Sequence, residues 1–234
     1  MKGTFRITLD YLKKLGACLE GQREFKRAFP DGGGYQEVLD RCAEEGRIDF
    51  ASWLFSKIGP TEDVRIFENE ILDENKKLFF AGKMDFKRSV FVRYIFAGAG
   101  IRAGWGIQAG WDIRAGRGIQ AGRGIQAGRD IQAGWGIQAG RDIQAGWGIR
   151  AGLGIQAGRG IQAGDGIQAG RDIRAGRGIQ AGRGIQAGDS IQAGDDFVVF
   201  AGLDVRTSLW EKIAVVSASE KPKNLRSGFW VPQK

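Results

Sequence analysis

The side chains with the most chemistry to offer stand in one variable slot of a short repeat. Between residues 97 and 194 the chain carries twelve arginines and six aspartates, with no lysine, glutamate or histidine. Trp105, Trp111, Trp135 and Trp147 alternate in that slot with Arg123, Arg129, Arg141, Arg159, Arg177 and others. Guanidinium groups grip phosphate or carboxylate through paired N–H donors and stack on indole rings. Both residue types are enriched where binding energy concentrates. This is the chemistry of recognition. Catalysis has less to work with, because histidine is missing from all 234 residues, which removes imidazole acid–base chemistry and most zinc sites. Gly32-Gly33-Gly34 lacks the Lys-Ser/Thr partner of a phosphate loop, and no nucleophile elbow or dinucleotide fingerprint occurs. The expectation is a protein that is not an enzyme, with no cofactor and no metal.

The slot belongs to a hexad. From Ala97 to Gln192 the chain runs through sixteen hexads of the form Ala-Gly-x-Gly/Asp-Ile-Gln, with Asp112, Asp130, Asp142, Asp172 and Ser190 in the fourth position and Arg102, Arg114, Arg150 and Arg174 in place of Gln in the sixth. A fixed short period marks a repeat architecture. Alternation along Ile-Gln-Ala puts Ile and Ala on one face of a strand and Gln on the other. The glycines suggest corners that need permissive backbone angles. Three strand-and-corner units, one hexad each, close a triangle. Stacked triangles give a parallel column at ~4.8 Å per coil, so sixteen hexads make a little over five coils, about 25 Å. A helix is excluded, since six does not match 3.6 and the glycines alone would cost ~2 kcal/mol per hexad relative to alanine. The fold class expected is mainly β: a triangular parallel β-solenoid, left-handed, with a small N-terminal α-helical domain.

Stacking by three hexads turns sequence into columns. One corner reads Trp105, Arg123, Arg141, Arg159, Arg177, Asp195; a second reads Trp111, Arg129, Trp147, Asp165, Arg183; the third reads Arg117, Trp135, Leu153, Arg171, Asp189. The candidate binding residues are therefore Arg123, Arg141, Arg159 and Arg177 on one ridge, with Trp105, Trp111, Arg129, Trp147 and Trp135 beside them. Gln108, Gln126, Gln144, Gln162 and Gln180 line up on one face and suggest an amide ladder.

The flanks differ. Residues 1–62 carry ten basic and ten acidic side chains, so the basic excess behind the net charge of +8 lies mostly in the array. Helical signals run from Thr8 with Leu9, Leu12 and Leu15 to Gly16, through Phe25 and Phe29, then Val38, Leu39 and Cys42 to Gly46, and from a cap at Asp49 to Gly59-Pro60. Residues 63–206 read as the solenoid, with degenerate coils at both ends: the tetrad apolar-x-Ala-Gly recurs at Phe79–Gly82 and Val199–Gly202. Residues 207–234 read as a C-terminal cap or a homodimer contact. Cys18 and Cys42 make no disulfide framework and read as buried thiols of a reducing compartment. With no apolar leader and no run of ~18 apolar residues, the expectation is a cytoplasmic protein away from membranes.

In period, the array is similar to the hexapeptide-repeat proteins of left-handed β-helix fold, several of which are acyltransferases. Their motif pairs a bulky aliphatic residue with a following glycine, whereas here Ala precedes Gly and Ile lies four residues after Ala. Their catalysis relies on histidine, so no activity carries over. The whole arrangement resembles uncharacterised bacterial and prophage-borne proteins: a helical head (Leu15-Gly16-Ala17-Cys18, Phe29-Pro30-Asp31-Gly32, Trp53-Leu54) followed by Ala-Gly hexads. That resemblance implies a setting rather than an activity. The leading expectation is a binding protein whose Arg/Trp surface meets a protein or ribonucleoprotein partner, as a phage or mobile-element inhibitor of a CRISPR-type host defence complex. A nucleic acid or other polyanion held by the Arg columns is the alternative, and a structural spacer is the third.

Overall fold

The computed structural model describes residues 5–203, 205 and 207–233. Residue 206, the expected end of the solenoid, lies outside them. The chain is a parallel β-solenoid of about nine turns with a helical head. One face is an eight-stranded sheet running from Val64–Phe67 to Ile191–Gln192. The other two faces form a single sixteen-stranded sheet, because Ile71–Phe80 and Val90–Ala97 run on through a corner. Nine rungs at ~4.8 Å make a column roughly 38 Å tall. Within the array every strand is Ile-x-Ala, paired in register with the strand three hexads away, as Ile119 with Ile101 and Ile137.

The interior is what the alternation requires. Ile101 to Ile191 are 0–3% exposed and the strand alanines are buried with them, in one continuous core. Each buried isoleucine removes enough apolar surface from water to be worth about 1.5–3 kcal/mol.

The glycines work differently from the sequence expectation. No glycine of the array has a positive φ. The glycine after Ala is required by its neighbour one coil away: a Cβ on Gly116, Gly134 or Gly152 would overlap the carbonyl oxygen of Gly98, Gly116 or Gly134. The fourth position is looser. A Cβ on Gly154 would lie 3.5 Å from the Asp172 carbonyl oxygen and one on Gly166 3.4 Å from that of Gly184. That is why the first glycine does not vary and the second gives way to Asp or Ser.

The head holds four helices: α1 (Leu9–Lys14), α2 (Leu19–Ala28), α3 (Tyr35–Glu45) and α4 (Ile48–Ile58). Thr8 caps α1 by accepting the Tyr11 N–H, and Gly46 ends α3 at φ 72°. The start of α4 differs from the expected cap: Arg47 takes that place and Asp49 lies in the first turn. The head is seated on the first coils. Phe79, Ala81, Tyr94 and Phe96 join its core, and the Gln36 amide both donates to the Phe79 carbonyl and accepts the Ala81 N–H. The Gln36 amide thereby covers the open backbone of the first coil at Phe79 and Ala81, which keeps that stretch of the edge from pairing with other chains, while Val64–Phe67 and the first part of Ile71–Phe80 stay exposed.

At the other end the sheets continue beyond the expected boundary. Val215–Ala218 stacks on Ile185–Ala187, and Phe229–Pro232 stacks on Val215–Ala218. Before these rungs the chain changes form: Trp210–Ile213 is a short helix and the strand starts at Val215. Phe229 and Gln233 donate inward to Ala214 and Ala218, so Pro232 falls on the outward-facing positions of the last rung, where its missing N–H blunts the edge. A dimer contact through this segment would have Phe229 and Val231 to use, which stay 40% and 37% exposed.

The two cysteines part company. Cys18 is exposed, contrary to the sequence expectation, and its Sγ accepts the Gly21 N–H at the start of α2. Cys42 is buried, and desolvation, helped by Glu45, pushes its thiol up to about 12.

Two outcomes follow. Gly152→Ala should lower stability by at least about 2 kcal/mol because the ladder must open to admit the methyl group, while Gly154→Ala should stay within about 0.5 kcal/mol. Thermal melts of the two variants decide this. In thiol labelling at pH 8, the native chain should react at Cys18 alone and the denatured chain at both cysteines.

Candidate functional site: the Arg and Trp corners

Corner positions stack through their own backbone. Arg123 N–H donates to the Trp105 carbonyl at 2.8 Å, and Arg141, Arg159 and Arg177 each donate to the arginine one coil before at 2.9 Å. The four predicted arginines therefore form one ridge. The second corner is assembled as expected by Arg129, Trp147, Asp165 and Arg183 stacking on Trp111, and the third by Trp135, Leu153, Arg171 and Asp189 stacking on Arg117. Asp195 does not continue the ridge. Two extra residues loop out before Val199, and the Arg177 carbonyl takes the Gly194 N–H instead.

Two positions were missed in the sequence. Arg88 stands opposite Trp105, since Phe86 pairs with Ala103 and Val90 with Ile107. Arg93 stands under Trp111, whose N–H it accepts. This coil falls one position short of three full hexads, and no hexad motif survives to reveal it. The tetrads at its ends were the available signal.

The corners differ in how their charge is met. On the second, Arg129 lies between two indoles, its guanidinium carbon 4.1 Å from the Trp147 ring and 5.1 Å from that of Trp111, and Arg183 pairs with Asp165 at 3.1 Å. On the third, Arg117 pairs with Glu62 at 2.8 Å. Arg174 and Asp172, beside that corner, pair at 3.3 Å. On the first corner Arg123 leans on Trp105 (4.6 Å) and Arg177 on Phe197 (5.9 Å). Arg141 and Arg159 have neither a carboxylate nor a ring among the described residues, and both are exposed. Parallel guanidiniums at the rung spacing would repel by roughly 1 kcal/mol per pair even in bulk water.

Asp142 sits within this corner but forms no ion pair with the ridge among the described residues. Its Oδ1 accepts the Gly160 N–H at 3.0 Å, as Asp130 Oδ1 accepts that of Gly148 at 2.9 Å. Asp112, Asp130 and Asp142 each tie their coil to the next through an N–H that takes no part in the backbone ladder, and Asp172 does so through the Ser190 hydroxyl. The glutamine rows align but carry no side-chain hydrogen bond to one another among the described residues, so the expected amide ladder is a row of separate amides.

Trp105, Trp135 and Trp147 are about half exposed, Trp111 somewhat less. Stacked arginine covers part of each ring on the second corner and holds it in place. The arrangement offers fixed planar donors and aromatic faces on a rigid frame.

Fold and surface together define a class: a parallel β-solenoid with a helical head and a basic ridge. Residues 1–59, about a quarter of the chain, match the family model of the YdhT N-terminal domain. No curated protein and no solved structure matches the chain. Among the described residues no helix is long and apolar enough to cross a membrane.

Asp142 separates two roles that a substitution can test. Asp142→Asn keeps the Oδ1 acceptor and should leave stability within about 0.5 kcal/mol, whereas Asp142→Ala loses the bond to Gly160 and should cost about 1 kcal/mol. Denaturant titration of both variants gives the comparison.

Proposed function

We propose that this is a non-enzymatic binding protein whose rigid solenoid presents an Arg/Trp surface to a macromolecule. One observation carries the reading. The four arginines of the ridge, Arg123, Arg141, Arg159 and Arg177, form no ion pair among the described residues, while acidic residues pair with Arg117, Arg174 and Arg183 on or beside the other two corners. Self-repulsion of that kind weakens the free protein and is relieved by an anionic partner. The half-exposed tryptophans favour a protein component in that partner, since such rings anchor interfaces. In the prophage setting that the arrangement resembles, the partner would be a protein or ribonucleoprotein of host defence, and the protein its inhibitor.

Immobilised protein is expected to retain a partner from host lysate that the variant with all four ridge arginines changed to Gln does not. Equal retention by both, or by neither, overturns the reading. A spacer would behave differently: removing one whole coil, residues 137–154, would leave its activity intact, whereas a binding ridge shortened by one arginine should lose affinity.

A further inference from the structure

We propose that the ridge is a wedge for double-stranded DNA, seated in the major groove with the adjoining faces against the two phosphate backbones. This rests on one part of the binding reading above, that the ridge meets an anionic macromolecule, and takes that macromolecule to be DNA in place of a protein or ribonucleoprotein.

The ridge is longer than the repeat shows. Arg88 extends it by one rung past Trp105, so five arginines and one tryptophan stand in line from Arg88 to Arg177. Five steps at ~4.8 Å make about 24 Å. At ~3.4 Å per base pair that spans about seven base pairs. Beyond Arg177 the exposed Asp195 and Asp196 close the basic run.

Shape selects among polyanions. The corner of a triangular column is convex and rigid. Single strands are held in basic channels with open stacking platforms. This ridge has no channel, and its indole, Trp105, already holds Arg123 against one face. A convex ridge needs a concave anionic partner. The major groove of B-form DNA, about 12 Å wide and 8.5 Å deep, admits an α-helix or a β-ribbon. The deep major groove of A-form RNA is too narrow for side chains to read.

The flanks fit the same partner. The faces meeting at the ridge carry outward amides on most rungs of the array: Gln108, Gln126, Gln144, Gln162 and Gln180 on one side, and Gln120, Gln138 and Gln156 on the other, where Arg102 and Arg174 take the rungs before and after them. Their amides bond to nothing else among the described residues. Amide donors of this kind hydrogen-bond phosphate oxygens and fix register without reading sequence. One row lies on each side of the wedge, as the two strands bordering a groove do. The single carboxylate inside the array's part of the ridge, Asp142, is turned to the Gly160 N–H.

Fluorescence anisotropy with a mixed-sequence duplex of about 20 base pairs tests this. If five phosphates are neutralised, affinity should fall about 500-fold between about 50 and 200 mM salt. Changing Arg123, Arg141, Arg159 and Arg177 to Gln should reduce the log–log salt slope by about 3.6. The double variant Arg171→Gln/Arg183→Gln, on the other two corners, should bind within about twofold of the parent; circular dichroism confirms that each variant is folded. Duplex DNA should be preferred over single-stranded DNA and duplex RNA of equal length by at least about tenfold. The proposal is overturned by no binding at about 50 mM salt, by binding that survives the quadruple change, or by equal binding of RNA, single strands or heparin. If no duplex binds while the quadruple change still abolishes retention of a lysate partner, the DNA wedge fails and the binding reading stands. If neither effect is seen, both fail.

Discussion

Every feature of the column depends on the hydrogen bonds between successive coils. They hold backbone to backbone at the spacing of a β-sheet, and at the corners this brings the residue after nearly every alanine, Gly110 excepted, against a carbonyl oxygen of the coil before. Only glycine fits there. The isoleucines supply most of the driving force. The ladder decides which residues are allowed, and so which positions remain free to vary.

That freedom lies at the x position, more narrowly at the one after it, and at the outward sixth position, where Arg102, Arg114, Arg150 and Arg174 replace Gln. Aspartate in the second of these is absorbed by the structure, because its oxygen meets an N–H that the ladder leaves over. Arginine in the first is not absorbed. It must find a ring, an acid or solvent. On the second and third corners a ring or an acid meets Arg129, Arg183 and Arg117, though not Arg171, and on the first Arg141 and Arg159 face solvent. The electrostatic asymmetry of the molecule thus arises from a few substitutions in slots the fold does not control.

Much of this could be read from the sequence. The period of six, the invariant isoleucine and the alternation with alanine required strands, a triangle and the stacking of Trp105 with Arg123. The reason for the glycines was not legible, because a close approach between positions three hexads apart leaves no local trace and looks the same as a demand for unusual angles. The ends were the least legible. Ile71–Phe80 is a strand whose exposed first part carries Asp73, Glu74, Lys76 and Lys77, so its pattern shows no buried face. The shortened coil hid Arg88 and Arg93, and the last rungs at Val215–Ala218 and Phe229–Pro232 follow a helix and a loop that break the period. Tertiary contacts at both ends replace the repeat as the source of order.

The column obeys two different clocks. Its folding repeats with every hexad, since any hexad can occupy any side of the triangle. Its surface repeats with every third hexad, since a side chain meets its neighbour only after three sides. Copying or losing one hexad would therefore leave a well-packed core while turning everything downstream by a third of a revolution, carrying Arg159 and Arg177 away from Arg123 onto another edge. Gene-level slippage in so uniform an array would be invisible to stability and conspicuous to recognition. The unbroken line from Arg123 to Arg177 is thus a property that folding alone would not preserve.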